Sequence, residues 1–486
     1  MRSADAIVIG AGPAGCAAAI VLAEAGRSVV IIDRPTGARR ALAESIPPSA
    51  RRILTELGAD QAVASAGFQP WRGNTVWWAD APPRVEHFSP DAVGFQVDRH
   101  QFDRVLRDAA ARAGAQLVEG TVRSAAPPTV TIDMDGEEQR ATAPWILDCS
   151  GRAGLLARQG LREMEDSHRT VALAGIWRAT TPWPAATEGH TLVASHADGW
   201  AWSVPLARDV RYVTVMVDPA RSHLTKDAPA LDVYQAELSK VAPFAALLAT
   251  AHLVAGPWGA DASLYGASRH SGPGFLLVGD AATFIDPLSS FGVKKALTSG
   301  WLAAIVVTSI LDSPATQAAA LEFFESRERQ VANSFRKQAA RYAEDAGARH
   351  PFWQARAALA QTDSDDEHVD PIVLAGDPAV VAAVRDLQQR PSLAVTRGED
   401  VTIIQRPVIR GRRLAIEDHV SVPPWPDGVR YIRNVDVLLV LRLAPEHQDV
   451  GELYDAVVRI QPGVGLPDFL GVLATLVARG ALHHKM

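Results

Sequence analysis

Gly279-Asp280-Ala281-Ala282-Thr283-Phe284-Ile285-Asp286-Pro287-Leu288-Ser289-Ser290-Phe291-Gly292 decides how the chain is read. Just before it, the short apolar run 275–278 suits a buried parallel strand. Gly279-Asp280 stops that strand and residues 281–284 lie in a turn. Pro287 and Gly292 bracket an exposed Ser289-Ser290-Phe291 loop, and a helix is predicted to start near Val293. A strand, an acid, a Pro/Gly loop and a helix N-terminus suit a polyol joined to the anionic edge of a ring. Asp280 would accept hydrogen bonds from the polyol. Backbone N–H groups from Phe291 onward, with the helix dipole, would stabilise negative charge. An ordinary strand-loop-helix connection of a doubly wound sheet has the same outline.

The N-terminus narrows the choice. An apolar strand, residues 6–10, runs into Gly10-Ala11-Gly12-Pro13-Ala14-Gly15 and a helix through Ala25. A second strand, 28–32, ends on Asp33 with Arg34 beside it, at about the 20-residue spacing of a dinucleotide fingerprint. The glycines permit a tight turn, close approach of a pyrophosphate and helix–strand contact, and Asp33 would bind ribose hydroxyls. Strand before, helix after and acid at this distance make the signal strong.

At 486 residues the chain can hold two or three domains of about 150 residues each. Net charge is −7 and pI about 6.1, so nothing favours nucleic acid or an anionic membrane. No apolar run reaches the roughly 18–20 residues of a membrane span. The opening Met1-Arg2-Ser3-Ala4-Asp5 leads straight into a strand, which argues against a secretory signal. Only Cys16 and Cys149 occur, so a reducing cytoplasm fits. No Cys-x-x-Cys pair or Ser-His-Asp order stands out, His483-His484 is a weak ligand pair, and no metal site is expected. The 12 tryptophans are an unusual load, and seven of them (Trp71, Trp77, Trp78, Trp177, Trp183, Trp200, Trp202) crowd one part of the chain. They hint at an aromatic-lined cavity, with simple packing as the alternative.

In order, a helix is expected at 49–57, strands at 76–79 and 94–97, and a helix opened by Asp98 as N-cap. Arg99 opens that helix and Asp103, one turn on, would orient it. A strand at 145–148 ends in Asp148-Cys149-Ser150-Gly151, a turn where the adenosine half of a dinucleotide could rest. Residues 170–178, 192–195, 199–205 and 210–218 alternate and read as an antiparallel sheet. One helix, 231–248, returns the chain. Two long helices follow at 293–311 and 316–346, then an acidic linker from Asp363. The expected fold class is α/β. Residues 1–75, 98–168 and 256–360 would form a Rossmann-type domain, 76–97 and 169–255 a substrate-binding sheet domain, and 371–486 a small α+β module of winged-helix type.

The order Gly10–Gly15, Asp33, Arg99 and Asp103, Asp148–Gly151 and Gly279–Gly292 resembles the FAD-dependent aromatic hydroxylases over roughly residues 1–355. Within it, Gly199-Trp200-Ala201-Trp202-Ser203-Val204-Pro205 is similar to the Trp-x-Trp-x-Ile-Pro signature of flavin-dependent halogenases, and the 286–292 loop is similar to their flavin-ring loop. The resemblance implies FAD as cofactor, with NAD(P)H or a separate flavin reductase as electron source and O2 as co-substrate. It implies cofactor contacts from Gly10, Gly12, Pro13, Ala14, Gly15, Asp33, Arg34, Arg99, Asp148, Gly151, Gly279, Asp280, Pro287, Phe291, Gly292 and Val293. Halogenases carry a Lys on the strand after the second helix. Residues 68–78 here contain none, and the nearest Lys downstream is Lys226. Tryptophan halogenases also place Glu in the flavin loop where this chain has Ser289. Both departures point to direct oxygen transfer rather than halogenation.

Glu44-Ser45-Ile46-Pro47-Pro48, Gly73-Asn74, the Asp286–Ser290 loop and His350-Pro351-Phe352-Trp353 resemble a narrower group, the flavoproteins that mature tryptophylquinone enzymes. That resemblance implies a protein or peptide substrate, such as a quinoprotein small subunit, hydroxylated on tryptophan. A small-molecule hydroxylase or halogenase of the same fold, and a flavoprotein assembly factor without turnover, are the alternatives. Ser289, Ser290 and Glu44 are the expected catalytic residues, and Trp77, Trp200, Trp202 and Arg72 the expected substrate pocket. For Glu44 and Arg72 a surface salt bridge is the plainer alternative, and His100 and His196 read as ordinary helix and turn residues.

Overall fold

The computed structural model describes residues 4–35, 42–165, 169–184, 187–224, 228–347, 350–358, 377–390 and 392–484. Lys226 and the acidic stretch from Asp363 lie outside them. The chain divides into two compact units, Met1–Asp363 and Ser364–Met486.

In the first unit, five strands pair in parallel in the order Phe275–Leu277, Trp145–Asp148, Ala6–Ile9, Val29–Asp33, Gln116–Glu119. The central strand is fully buried, as expected when helices cover both faces of a parallel sheet. Helix Pro13–Glu24 packs against helix Gly292–Asp312 at very short range: a Cβ built on Gly300 would lie 2.1 Å from the Ala14 carbonyl oxygen. Helix Gly292–Asp312 is long and apolar enough to span a membrane by composition, contrary to the sequence expectation, but most of it is buried inside this unit. Asp98 caps helix Arg99–Arg112, its side chain accepting the Gln101 N–H at 3.0 Å.

The second sheet has seven strands in the order Ala251–Asp261, Val171–Ala179, Val210–Val217, Gly199–Ala207, His190–His196, Gly73–Trp77, Arg84–His87. All pair antiparallel except His190–His196 with Gly73–Trp77. The sheet is wider than the alternation showed, because Arg84–His87 and Ala251–Asp261 are edge strands without a clean apolar period. Gly94–Asp98 does not join it. That strand pairs with Ala43–Ile46 and Gln69–Trp71 in a separate three-stranded sheet, where Gly94 runs so close that a Cβ would lie 2.4 Å from the Ile46 carbonyl oxygen. The expected single helix at 231–248 is two, Ala230–Ser239 and Ala242–Leu248, with Pro243 in the first turn of the second. Both cover one face of the sheet, packing Val233, Tyr234 and Phe244 on Leu192, Val213 and Val215.

The second unit is α+β. Strands Thr402–Arg410, Arg413–Val422 and Trp425–Val429 form an antiparallel sheet, accompanied by helices Pro378–Gln389, Val437–Leu443, Val450–Ile460 and Leu466–Ala478. It has its own core, in which Val420, Val440, Leu453, Phe469 and Leu473 are fully buried.

Candidate active site

The nucleotide side is shaped by missing side chains. Gly10 turns at φ +100°, and a Cβ on Gly15 would sit 1.9 Å from the Gly10 carbonyl oxygen, so strand and helix touch through bare backbone. Around Gly12 there is open space, and helix Pro13–Glu24 starts there with no side-chain cap. An uncapped, open helix N-terminus is ready for a phosphate. Asp33 ends its strand in an open crevice shared with Arg34, Arg107, Leu117 and Glu119. Arg107, which sequence reading missed, ion-pairs Asp33 and donates from Nε to the Ala11 carbonyl at 3.2 Å. Asp148 is corrected. It is completely buried and its carboxylate is spent on its own turn, accepting the Ser150 and Leu156 N–H groups at 3.1 and 2.7 Å, so it holds Gly151 in place rather than facing a cofactor.

The 279–293 stretch follows the edge strand of the parallel sheet. Gly279 is at φ +64° and the Asp280 side chain is 29% exposed. Its buried Oδ1 takes no hydrogen bond and only an ion pair, 3.0 Å from Lys295 Nζ. Asp286 caps the turn Pro287–Ser289, accepting the Leu288 N–H at 3.0 Å, and Ser290 sits in the left-handed region at φ +54°. Ser289 is corrected from a catalytic to a loop-holding residue: its hydroxyl donates to the Asp286 carbonyl at 3.0 Å and accepts the Phe291 N–H at 3.3 Å. That also removes Phe291 N–H from the anion-binding set. The first-turn amides of Gly292 and Val293, at a helix end with no side-chain cap, remain.

Glu44 and Arg99 meet beside this stretch. Arg99 donates to Glu44 Oε1 at 2.6 Å and to Asp103 at 3.0 Å. Burial pushes the Glu44 carboxyl up against the pull of Arg99, and nearby Asp280 adds to the rise. Asp103 and Glu44 hold the Arg99 guanidinium charged despite its burial. Glu44 is therefore part of an internal charge network and not of a surface salt bridge. Open Gly12, the partly exposed Asp280 carboxylate and the two bare helix ends fit an FAD reaching from the Asp33 crevice to the 286–293 loop.

Against the loop packs an aromatic cluster. Trp200 and Trp202, two apart on one strand, stack at 4.9 Å between ring centroids. Trp78 meets Trp353 edge-on at 5.2 Å and donates to the Tyr342 carbonyl at 3.0 Å. Trp353 donates to the His196 carbonyl at 2.8 Å and packs edge-on against Phe352 at 4.9 Å. Leu288 and Phe284 bring the flavin-loop wall into the same cluster. Trp77 is corrected: it packs on the helix-covered face with Trp177 and Leu192, because neighbouring strand residues point to opposite faces. Arg72 is also corrected, being exposed with its stem against Gly189. Sequence reading missed the buried Arg356, which stacks 3.5 Å over Phe352; burial pushes the Asp286 carboxyl up, and the Arg356 charge pulls against that rise. Burial lowers His196 to about 4. Among the described residues no group of His, Cys, Asp and Glu could hold a metal.

A sequence model described as tryptophan halogenase matches residues 82–394, and one described as FAD binding domain matches residues 5–45. The chain belongs to the tryptophan halogenase family. A flavin-dependent halogenase of Armillaria mellea is 30% identical over 367 residues, 67% of this chain and 68% of the relative. The flavin-dependent halogenase CmlS superposes with a TM-score of 0.77 at 23% identity, over 99% of this chain and 96% of its own. The peptidyl tryptophan dihydroxylase QhpG, essential for tryptophylquinone cofactor biogenesis, superposes with a TM-score of 0.70 at 26% identity, over 99% of this chain and 100% of its own. Membership makes this an FAD-dependent oxidoreductase.

Proposed function

We propose that this family member hydroxylates an aromatic ring, and that the ring is a tryptophan side chain within a protein during tryptophylquinone assembly. The observation that carries the reading is the segment 68–78. The halogenase resemblance calls for a lysine there, and the strands Gln69–Trp71 and Gly73–Trp77 carry none, with buried Trp71 donating to the Gly73 carbonyl at 2.8 Å. FAD, reduced by NAD(P)H or a separate reductase, would supply the activation of O2. The chain's own residues would then exclude water and position the ring against the partly buried Trp202 and Trp78, with the Gly292 and Val293 amides at the negatively charged edge of the cofactor. End-to-end likeness to a peptidyl tryptophan dihydroxylase supports the protein substrate.

The second reading, halogenation of a small indole, pyrrole or phenol, is favoured by the halogenase named among the sequence relatives. Purified protein given FAD, a reductant, chloride or bromide and free aromatics separates the two. The expected result is no halogenated product by mass spectrometry, and a halogenated ring contradicts the proposal.

A further inference from the structure

The turn 279–283 that carries Asp280 is gripped by buried charged side chains that the nucleotide motif does not require. Lys295, 6% exposed on helix Gly292–Asp312, ion-pairs Asp280 Oδ1 at 3.0 Å and donates to the Thr283 carbonyl. One turn further along, Ser299 Oγ accepts the Gly279 N–H at 2.9 Å. From helix Gln317–Asp345, Glu328 is 6% exposed, and burial pushes its carboxyl up against the pull of Lys295, His270 and Ser299. His270 closes the set, with Nε2 3.3 Å from Thr283 Oγ1 and Nδ1 3.0 Å from Glu325.

An ammonium taken out of water costs several kcal/mol unless carboxylates and carbonyls replace the solvent. Lys295 has the Asp280 carboxylate and the Thr283 carbonyl against it, and its charge is felt by Glu328. Among the described residues Asp280 ion-pairs with this cation, and its own charge raises Glu44. Without the ammonium, two carboxylates would repel across the cofactor path.

We propose that Lys295 is a positioning residue for FAD, holding the Asp280 carboxylate in place by one oxygen so that the other can accept hydroxyls of the cofactor's ribityl chain. Lys295 touches no reacting atom, so its effect runs through Asp280, and that is the testable content.

The experiment titrates FAD into four apoproteins, wild type, K295M, D280N and the K295M/D280N pair, by flavin fluorescence, with thermal melts of each apo form. K295M is expected to weaken FAD by about tenfold or more, a coupling of ordinary size for neighbours. The pair is expected to bind within about threefold of D280N alone, because the lysine has lost its target. K295R, which keeps the charge, stays near wild type. Wild-type affinity in K295M, or a pair that is about tenfold weaker than D280N, overturns the proposal. If K295M alone does not fold, the pair removes both charges of the buried ion pair together, and its comparison with D280N decides the matter.

Discussion

The nucleotide wall and the aromatic cluster are built on opposite principles. At Gly10, Gly12 and Gly15 the site exists because side chains are missing, so backbone can approach backbone to distances no Cβ would allow. In the cluster it exists because Trp200, Trp202, Trp78, Trp353 and Phe352 fill one another's contacts. The first is broken by adding atoms, the second by removing them. The first also tolerates little drift, since a pyrophosphate must meet N–H groups, whereas a stack of rings can be re-lined and given a new substrate.

The largest effect expected from this contrast is Gly12→Val. A side chain in the open space before helix Pro13–Glu24 should cut FAD affinity by at least about 100-fold, near 2.7 kcal/mol. Protein that purifies yellow with bound flavin refutes the assignment. Next is Trp200→Ala, which empties a site 2% exposed and should lower unfolding free energy by about 3–5 kcal/mol in a denaturant titration. FAD binding by the folded fraction should survive, keeping the two regions separable. Third, Trp78→Ala should reduce turnover by about tenfold through loss of positioning, while Trp77→Ala should change kcat/KM little. Equal effects would mean that the alternation of faces does not divide the two clusters in function. The smallest is a pH effect. His196 is held neutral with its pKa lowered to about 4, below its unfolded value of about 6.5, so the folded state binds fewer protons. Its contribution to stability is present above about pH 6.5 and is lost as pH falls towards 4. His196→Asn should flatten thermal stability across that window, and an unchanged slope contradicts the burial argument.

The same contrast explains what could be read from sequence. The nucleotide wall leaves a written trace, because turns at positive φ and sub-van-der-Waals approaches demand glycine at fixed spacing, as at Gly10, Gly15 and Gly279. Asp98 as helix cap and the Arg99–Asp103 pair were legible for the same local reason. The aromatic cluster is assembled from residues 78, 200, 202 and 353, and nothing local links Trp353 to Trp78. There a slip of one residue moves a side chain to the other face, which is how Trp77 stood in for Trp78. Asp148 misled because an acid in a glycine turn looks the same whether it faces a ligand or ties its own loop. Lys295 was invisible because its partner, Asp280, lies outside its helix, on the far side of the 286–291 loop, where no helical period links the two.

The most direct test is whole-protein mass spectrometry of a quinoprotein small subunit after incubation with this enzyme, FAD, a reductant and isotope-labelled dioxygen. The account predicts a gain of one or two labelled oxygens localised to a tryptophan. No gain on the protein, together with rapid oxidation or halogenation of free indoles or phenols, would contradict it.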